Sequence, residues 1–118
     1  MASDMEPKVQ QTYLYDFYGE LLNEHQRKVF EDFVFNDLSL GEIAEEQGIS
    51  RQAVHDMIRR STKKLEEYEQ RLHLMARFMD LREKAVGIQQ RANAYEHSHE
   101  EHLLEEIKQI SGEIIKEL

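Results

Sequence analysis

Ser39, Gly48 and Ser50 divide the stretch "SLGEIAEEQGISRQAVHDMIRR" into two helices joined by a tight turn, and no other feature of the chain limits its fold as strongly. Glu42 stands three residues after Ser39. The hydroxyl can accept from the Glu42 backbone while the carboxylate reaches back to the Ser39 backbone, a reciprocal pair that starts a helix. Gly48 falls just past the end of that helix, where a left-handed residue is needed and glycine adopts one at little steric cost. Ser50 then caps a second helix. Two helices joined so closely must cross steeply and nearly touch, which requires a small residue in the first and apolar residues pinning both to a third. Ala44, Gly48, Ile43, Ile49, Val54 and Met57 stand at those offsets. The segment is expected to be a helix-turn-helix.

The flanking chain is expected to be helical as well, since one proline and five glycines in 118 residues leave little for turn-rich β architecture. Leu14, Phe17, Tyr18, Leu21 and Leu22 form one stripe of a helix ending near Leu22. Asn23 and Gln26 make a further capping box, Val29, Phe30, Phe33 and Val34 give the inward face of the helix it starts, and Asn36 and Asp37 close it. The helix begun at Ser50 turns Ala53, Val54, Met57 and Ile58 inward and meets no stop signal until beyond Tyr68. Leu65, Tyr68, Leu72, Met75 and Met79 then step by three and four. After a slip of one position Phe78, Leu81, Ala85, Ile88, Ala92 and Tyr95 continue the pattern. This predicts one long helix, or two joined near Phe78, with a narrow apolar seam that Gly87 weakens locally. Ser98 with Glu101 offers another capping box before a last helix carrying Leu103, Ile107, Ile110, Ile114 and Leu118.

The expected architecture is therefore all-α: a helix-turn-helix module over residues 1–70 and a long amphipathic extension over 71–118. The seam from Leu72 to Tyr95 exceeds what so small a module can cover, so the extension is expected to pair with another copy, the favoured reading, or to pack back with the last helix. A homodimer would also pair two DNA-reading helices.

Composition narrows the function classes. A chain of 118 residues is one domain's worth and can bury roughly two thirds of its unfolded surface. The absence of cysteine removes disulfides, thiolate nucleophiles and Cys-ligated zinc. The longest run without a polar side chain is Ala85 to Ile88, far below the roughly 18 residues of a membrane span, and "MASDMEPKVQQ" has no basic flank leading into an apolar stretch. A cytoplasmic protein without membrane insertion is expected. No nucleophile with its base, phosphate-binding glycine loop or converging set of acids is visible, so neither catalysis nor a cofactor is expected.

Two other clusters have a plainer reading than the functional one. His97, His99 and His102 in "HSHEEH" have the short spacing of zinc ligands. No further Cys or His stands nearby to complete four, and Glu100 and Glu101 are ordinary at a helix start, so a solvated cap is expected there. Tyr13, Tyr15, Phe17, Tyr18, Phe30 and Phe33 recur at helical spacing, which favours core packing over a stacking platform for single strands.

Charge locates the candidate interface. The net charge is -9, yet residues 48–64 carry five cations against Asp56 alone, while residues 1–38 and 65–118 are each -5. Nucleic acid feels charge locally, within about 8 Å at physiological salt, so the basic island matters more than the total. If the second helix of the motif enters a major groove, Arg51, Gln52 and His55 are placed to meet bases. Arg51 suits the two acceptors of guanine and Gln52 suits adenine. Ser50, Arg59, Arg60, Lys63 and Lys64 are placed for phosphates. Asp56 is the misfit: it repels phosphate, although it can accept from cytosine or hold Arg59 or Arg60.

The stretch "YDFYGELLNEHQRKVFEDFVFNDLSLGEIAEEQGISRQAVHDMIRRSTKKLEEYE" resembles the YlxM family of small bacterial helix-turn-helix proteins, from about Tyr13 to Tyr68. Members are similar to the region-4 DNA-reading domain of sigma-70 factors, within the winged-helix-like superfamily, and their genes typically sit beside those of the signal recognition particle protein and its receptor. The resemblance implies a DNA-binding regulatory protein of that targeting pathway, with double-stranded DNA as partner. A sigma factor's polymerase-binding segment is not seen before Tyr13, so a complete sigma factor is not expected. The alternative partner is the particle's GTPase or RNA, met by the same basic surface in a non-DNA adaptor.

Overall fold

A computed structural model describes residues 7–118, which are helical almost throughout and contain no strand. Helix α1 is Pro7–Tyr18, followed by a 3-10 turn at Gly19–Leu21; α2 is Glu24–Val34, α3 Leu40–Gln47, α4 Arg51–Leu72, α5 Leu74–Ser98 and α6 Glu101–Glu117. The chain divides into two compact units, the first ending at Met75 and the second spanning Ala76–Leu118.

In the first unit the starts of α2, α3 and α4 are made by the caps their sequence encodes. Asn23 accepts from the Gln26 backbone at 2.8 Å while Gln26 accepts from the Asn23 backbone at 3.1 Å, and Ser39 and Glu42 repeat the exchange at 3.1 Å each way. Gly48 ends α3 at φ 69°, and Ser50 accepts from the Ala53 backbone at 3.0 Å to start α4. These caps leave α3 only eight residues long and hold it against α4. Val29, Ile43, Ala44, Val54 and Ile58 are buried together, with Phe33, Leu38, Leu40, Ile49 and Met57 packed around them. Burial of side chains of this size contributes about 1.5–3 kcal/mol each, which is why the short α3 holds.

Helix α1 runs alongside α4 in the same direction, tied by Gln11 to Thr62 at 3.0 Å and by Tyr18 to Glu69 at 2.5 Å. The aromatic residues are packing groups: Tyr15 stacks on Phe30 at 5.4 Å between ring centres and meets Phe35 edge-on, and Tyr18 lies 6.1 Å from Tyr68. Asp32 was not anticipated as an inside residue. It is buried, and its Oδ1 accepts from Lys28 at 3.2 Å and Asn36 at 3.0 Å, while its backbone carbonyl accepts from Leu38 at 3.0 Å. Asp32 thereby fastens the link between α2 and α3.

Two expectations for this unit are corrected. Leu21 was placed on the inward stripe but is 52% exposed, because the chain leaves α-geometry after Tyr18 and a 3-10 turn rotates each residue by about 120° instead of 100°. The junction expected near Phe78 falls at His73, which takes a left-handed conformation at φ 57° and ends α4. Past that bend the backbone N–H groups of Leu74 and Met75 donate to Tyr18 Oη at 3.1 Å and Glu69 Oε1 at 2.9 Å, so the orphan donors that open α5 are satisfied by side chains from α1 and α4.

The second unit is an antiparallel hairpin, in which Lys84 pairs with Glu117 and Arg91 with Glu106 at 2.7 Å. Its seam keeps Leu81, Ile88 and Tyr95 of the expected pattern but takes Lys84 and Arg91 in place of Ala85 and Ala92, and Phe78 is exposed. Leu81, Lys84, Ile88, Arg91 and Tyr95 are half-buried, whereas Ala85 and Ala92 are exposed. The long stems of Lys84 and Arg91 cover apolar surface while their charged ends reach carboxylates of α6, so two cations occupy seam positions that an apolar pattern cannot reveal. On α6, Leu103, Ile107, Ile110 and Ile114 are half-buried as expected, but Leu118 is 90% exposed at the helix end. The Ser98–Glu101 capping box does not form. Ser98 closes α5, where its hydroxyl donates to the Ala94 carbonyl at 3.1 Å, and Glu100 takes the N-cap position of α6 without a side-chain cap.

Candidate nucleic-acid interface

The face that α4 turns away from the core follows from its inward side. Val54, Ile58, Ser61 and Leu65 are buried, so at 100° per residue the opposite ridge is Gln52, Asp56, Arg59 and Lys63. Arg51 and His55 lie on one shoulder of that ridge, Arg60 and Lys64 on the other. The helix-turn-helix packing set, Ile43, Ala44, Ile49, Val54 and Met57, gathers beneath, in or against a single buried cluster, with Gly48 in the turn.

Each sequence-predicted side chain has a definite place. Gln52 and His55 are exposed near the start of α4. Arg51 is exposed but leans over α3, with its Nε lying 3.7 Å from where a side-chain carbon on Gly41 would be, so the bare glycine gives its stem a resting place. Ser50 spends its oxygen on the helix cap and retains only its hydroxyl proton for a phosphate. Arg59 is turned toward Asp56, with Nη2 3.7 Å from Oδ1. Arg60 and Lys63 are exposed, Lys64 is half-buried, and none of the three makes an ion pair with another described residue. Three cations thus stand ready for an external anion.

Residues from other helices join this face, which the sequence did not signal. A cleft between the start of α2 and α4 is lined by Asn23, His25, Gln26, Met57, Asp56 and Arg60. His25 Nε2 donates to Gln47 Oε1 at 3.2 Å, which links α2 to the end of α3 beside the turn. On the opposite shoulder Gln11 of α1 and Phe33 of α2 meet His55, Arg59 and Lys63. His25 has no local motif to mark it, since only the crossing of α2 over α4 brings it there.

The histidines of the second unit do not converge. His97 and His99 each bond a backbone carbonyl one turn earlier, at 3.0 Å, and His102 lies near Glu100 and Glu106. Among the described residues no group of three or more His, Cys, Asp or Glu side chains is placed to hold a metal ion, and no helix is long and apolar enough to cross a membrane.

Residues 5–110 match the UPF0122 family, described as "Putative helix-turn-helix protein, YlxM / p13 like". The chain belongs to this family. UPF0122 proteins of Bacillus cereus strains AH187 and Q1 and of Bacillus anthracis strain A0248 are each 42% identical to it over 112 residues, covering 95% of this chain and 97% of the relative. The match spans both compact units, so the α5–α6 hairpin is part of what the UPF0122 members share with this chain and not an appendage peculiar to it. Within the matched residues, α3 and α4 are two helices joined by a tight turn at Gly48, the arrangement that the UPF0122 description names.

Proposed function

We propose that this UPF0122 protein is a non-enzymatic regulator of the cytoplasm that binds double-stranded DNA, laying the start of α4 in the major groove in the manner of sigma-70 region 4. The observation that carries the reading is the outward ridge of α4 and its shoulders, where Arg51, Gln52 and His55 occupy the base-facing end and Arg59, Arg60, Lys63 and Lys64 the phosphate-facing length. This ridge is +4 over residues 48–64 in a chain that is otherwise acidic. The resemblance to a family encoded beside signal recognition particle genes supports a role in that targeting pathway.

The second unit supports a homodimer. In an antiparallel hairpin, residues offset in the same rotational sense from the two facing seams fall on one side. Ala85 and Ala92 of α5 share such a side with Leu104 and Ile115 of α6 and with Leu118 just past its end, all exposed. A second copy of the same hairpin covers this face as a four-helix bundle and sets two α4 helices as a pair.

The test is selection from random duplex DNA at about 0.15 M salt, followed by affinity against salt. Arg60→Ala and Lys63→Ala are expected to weaken every sequence and to reduce the salt slope by about one each, while Arg51→Ala changes base preference. Absence of duplex binding together with capture of the signal recognition particle's GTPase or RNA would replace this reading with an adaptor. The two -5 flanks are the observation that favours that alternative.

A further inference from the structure

The acidic residue that the DNA reading does not absorb sits at the centre of the surface it concerns. Asp56 is the only carboxylate between residues 48 and 64, and it lies on the outward ridge one turn after Gln52 and one turn before Arg59. Its Oδ1 accepts from Gln52 Nε2 at 3.1 Å and lies 3.7 Å from Arg59 Nη2, with His55 Nδ1 at 3.8 Å. The carboxylate is only 32% exposed, against 72% for the Arg59 side chain and 54% for His55, so it is enclosed by the residues that would read the DNA.

An ionised carboxylate accepts and cannot donate. The bond to Asp56 therefore fixes which way the Gln52 amide points: the NH2 end is turned along the helix toward Asp56, which leaves the carbonyl and the remaining N–H for an outside partner. One acceptor next to one donor matches the major-groove edge of adenine, which offers the N6 amino group and the N7 acceptor. It mismatches guanine, whose O6 and N7 are both acceptors and would face the Gln52 carbonyl. A glutamine free to flip has no such restriction. Asp56 also adds a second acceptor near the same position, which disfavours guanine further.

We propose that Asp56 is a specificity-determining positioning residue: by holding the Gln52 amide in one orientation it makes that position of the binding site read adenine over guanine, and it does so at a cost in overall affinity for the DNA polyanion. The inference rests on the DNA-binding reading above. It accounts for an acid in the middle of a basic island, since a repulsive group that sharpens discrimination separates right from wrong sites even while weakening both.

The experiment uses the full chain and its Asp56→Ala, Asp56→Asn, Gln52→Ala and doubly substituted variants. A site is selected from random duplexes with the unsubstituted protein, and dissociation constants are then measured for that site and for the same site with adenine replaced by guanine. The unsubstituted protein is expected to prefer adenine by about tenfold. Asp56→Ala is expected to bind both duplexes more tightly yet lose most of the preference, and Gln52→Ala to lose it without the gain. The double variant should show no further loss of preference, and Asp56→Asn, whose carbonyl still accepts from Gln52, should keep an intermediate preference. Helical circular dichroism confirms that each variant is folded. Tighter binding by Asp56→Ala with the adenine preference intact, alongside its loss in Gln52→Ala, overturns the positioning role and leaves Asp56 as a simple repulsive charge. Failure of the unsubstituted protein to select any site overturns the DNA reading and this inference together.

Discussion

Tyr18 Oη donates to Glu69 Oε1 at 2.5 Å, and the same two oxygens accept the backbone N–H groups of Leu74 and Met75 at 3.1 and 2.9 Å. Two side chains from α1 and α4 thus supply the cap that α5 lacks in its own sequence. Tyr18→Phe is expected to leave the Leu74 donor unpaired and cost about 1–3 kcal/mol in denaturant unfolding, with Glu69→Ala at least as severe. Burial, assisted by the bond to Glu69, raises the Tyr18 hydroxyl above its ordinary range. Its neutral form is the one the fold favours, so its contribution is fully present below about pH 10 and is lost as pH rises through the higher folded value. Tyr18→Phe should therefore unfold less steeply with alkali than the unsubstituted protein, and parallel alkaline curves would count against this account.

Two glycines separate space from backbone strain. A side-chain carbon at Gly19 would come within 2.7 Å of the Tyr15 ring, which cannot swing aside because its hydroxyl donates to Glu31 and its face is stacked on Phe30. At Gly48 nothing lies within 4 Å, but φ is 69°. Gly19→Ala is expected to cost about 1–3 kcal/mol by overpacking. Gly48→Ala should cost about 1 kcal/mol through the left-handed backbone alone. Adding Tyr15→Ala should relieve the first substitution and leave the second unchanged in a double-mutant cycle.

Within the second unit, Lys84 lies between Asp80 and Glu117, whose hydrogen bonds, Glu117 first, raise its ammonium to about 12. A raised lysine stabilises the fold fully below its unfolded value near 10.4 and loses that contribution as pH passes through about 12. Lys84→Met keeps the apolar stem and removes the charge. Its melting temperature is expected to fall below that of the unsubstituted protein at pH 7 and to converge with it above pH 12.

The shared apolar side of the hairpin predicts a concentration-dependent dimer. Ile115 is 69% exposed, so Ile115→Glu should leave helical content intact while shifting light-scattering mass toward the monomer. A mass unchanged by the substitution would place the dimer contact elsewhere.

Much of the fold that carries the candidate interface is legible in the sequence, for reasons visible in particular residues. Ser39, Gly48 and Ser50 act within four residues of themselves, and the burial of Ile43, Ala44, Val54 and Ile58 follows from helical spacing once those ends are set. Leu21 was misplaced because periodicity assumes α-geometry, and nothing in "YGELL" announces the 3-10 turn in which Gly19 receives the Tyr15 ring. Lys84 and Arg91 escaped an apolar pattern because their buried part is the stem and their charged part is not. Asp32 escapes for the converse reason, a charged residue held inside by partners one turn before and one turn after it.

The sequence by itself determined the helix-turn-helix, the starts of α2, α3 and α4, and the basic character of the ridge that α4 presents, because caps, left-handed turns and helical periodicity are decided by neighbours along the chain. Tertiary structure alone decided where α4 ends and that Lys84 and Arg91 of α5 reach α6. It also decided that His25 and Gln11 stand beside the ridge. These depend on groups distant in sequence: Tyr18 reaches Leu74 across 56 residues and Lys84 reaches Glu117 across 33, encounters that no local pattern encodes.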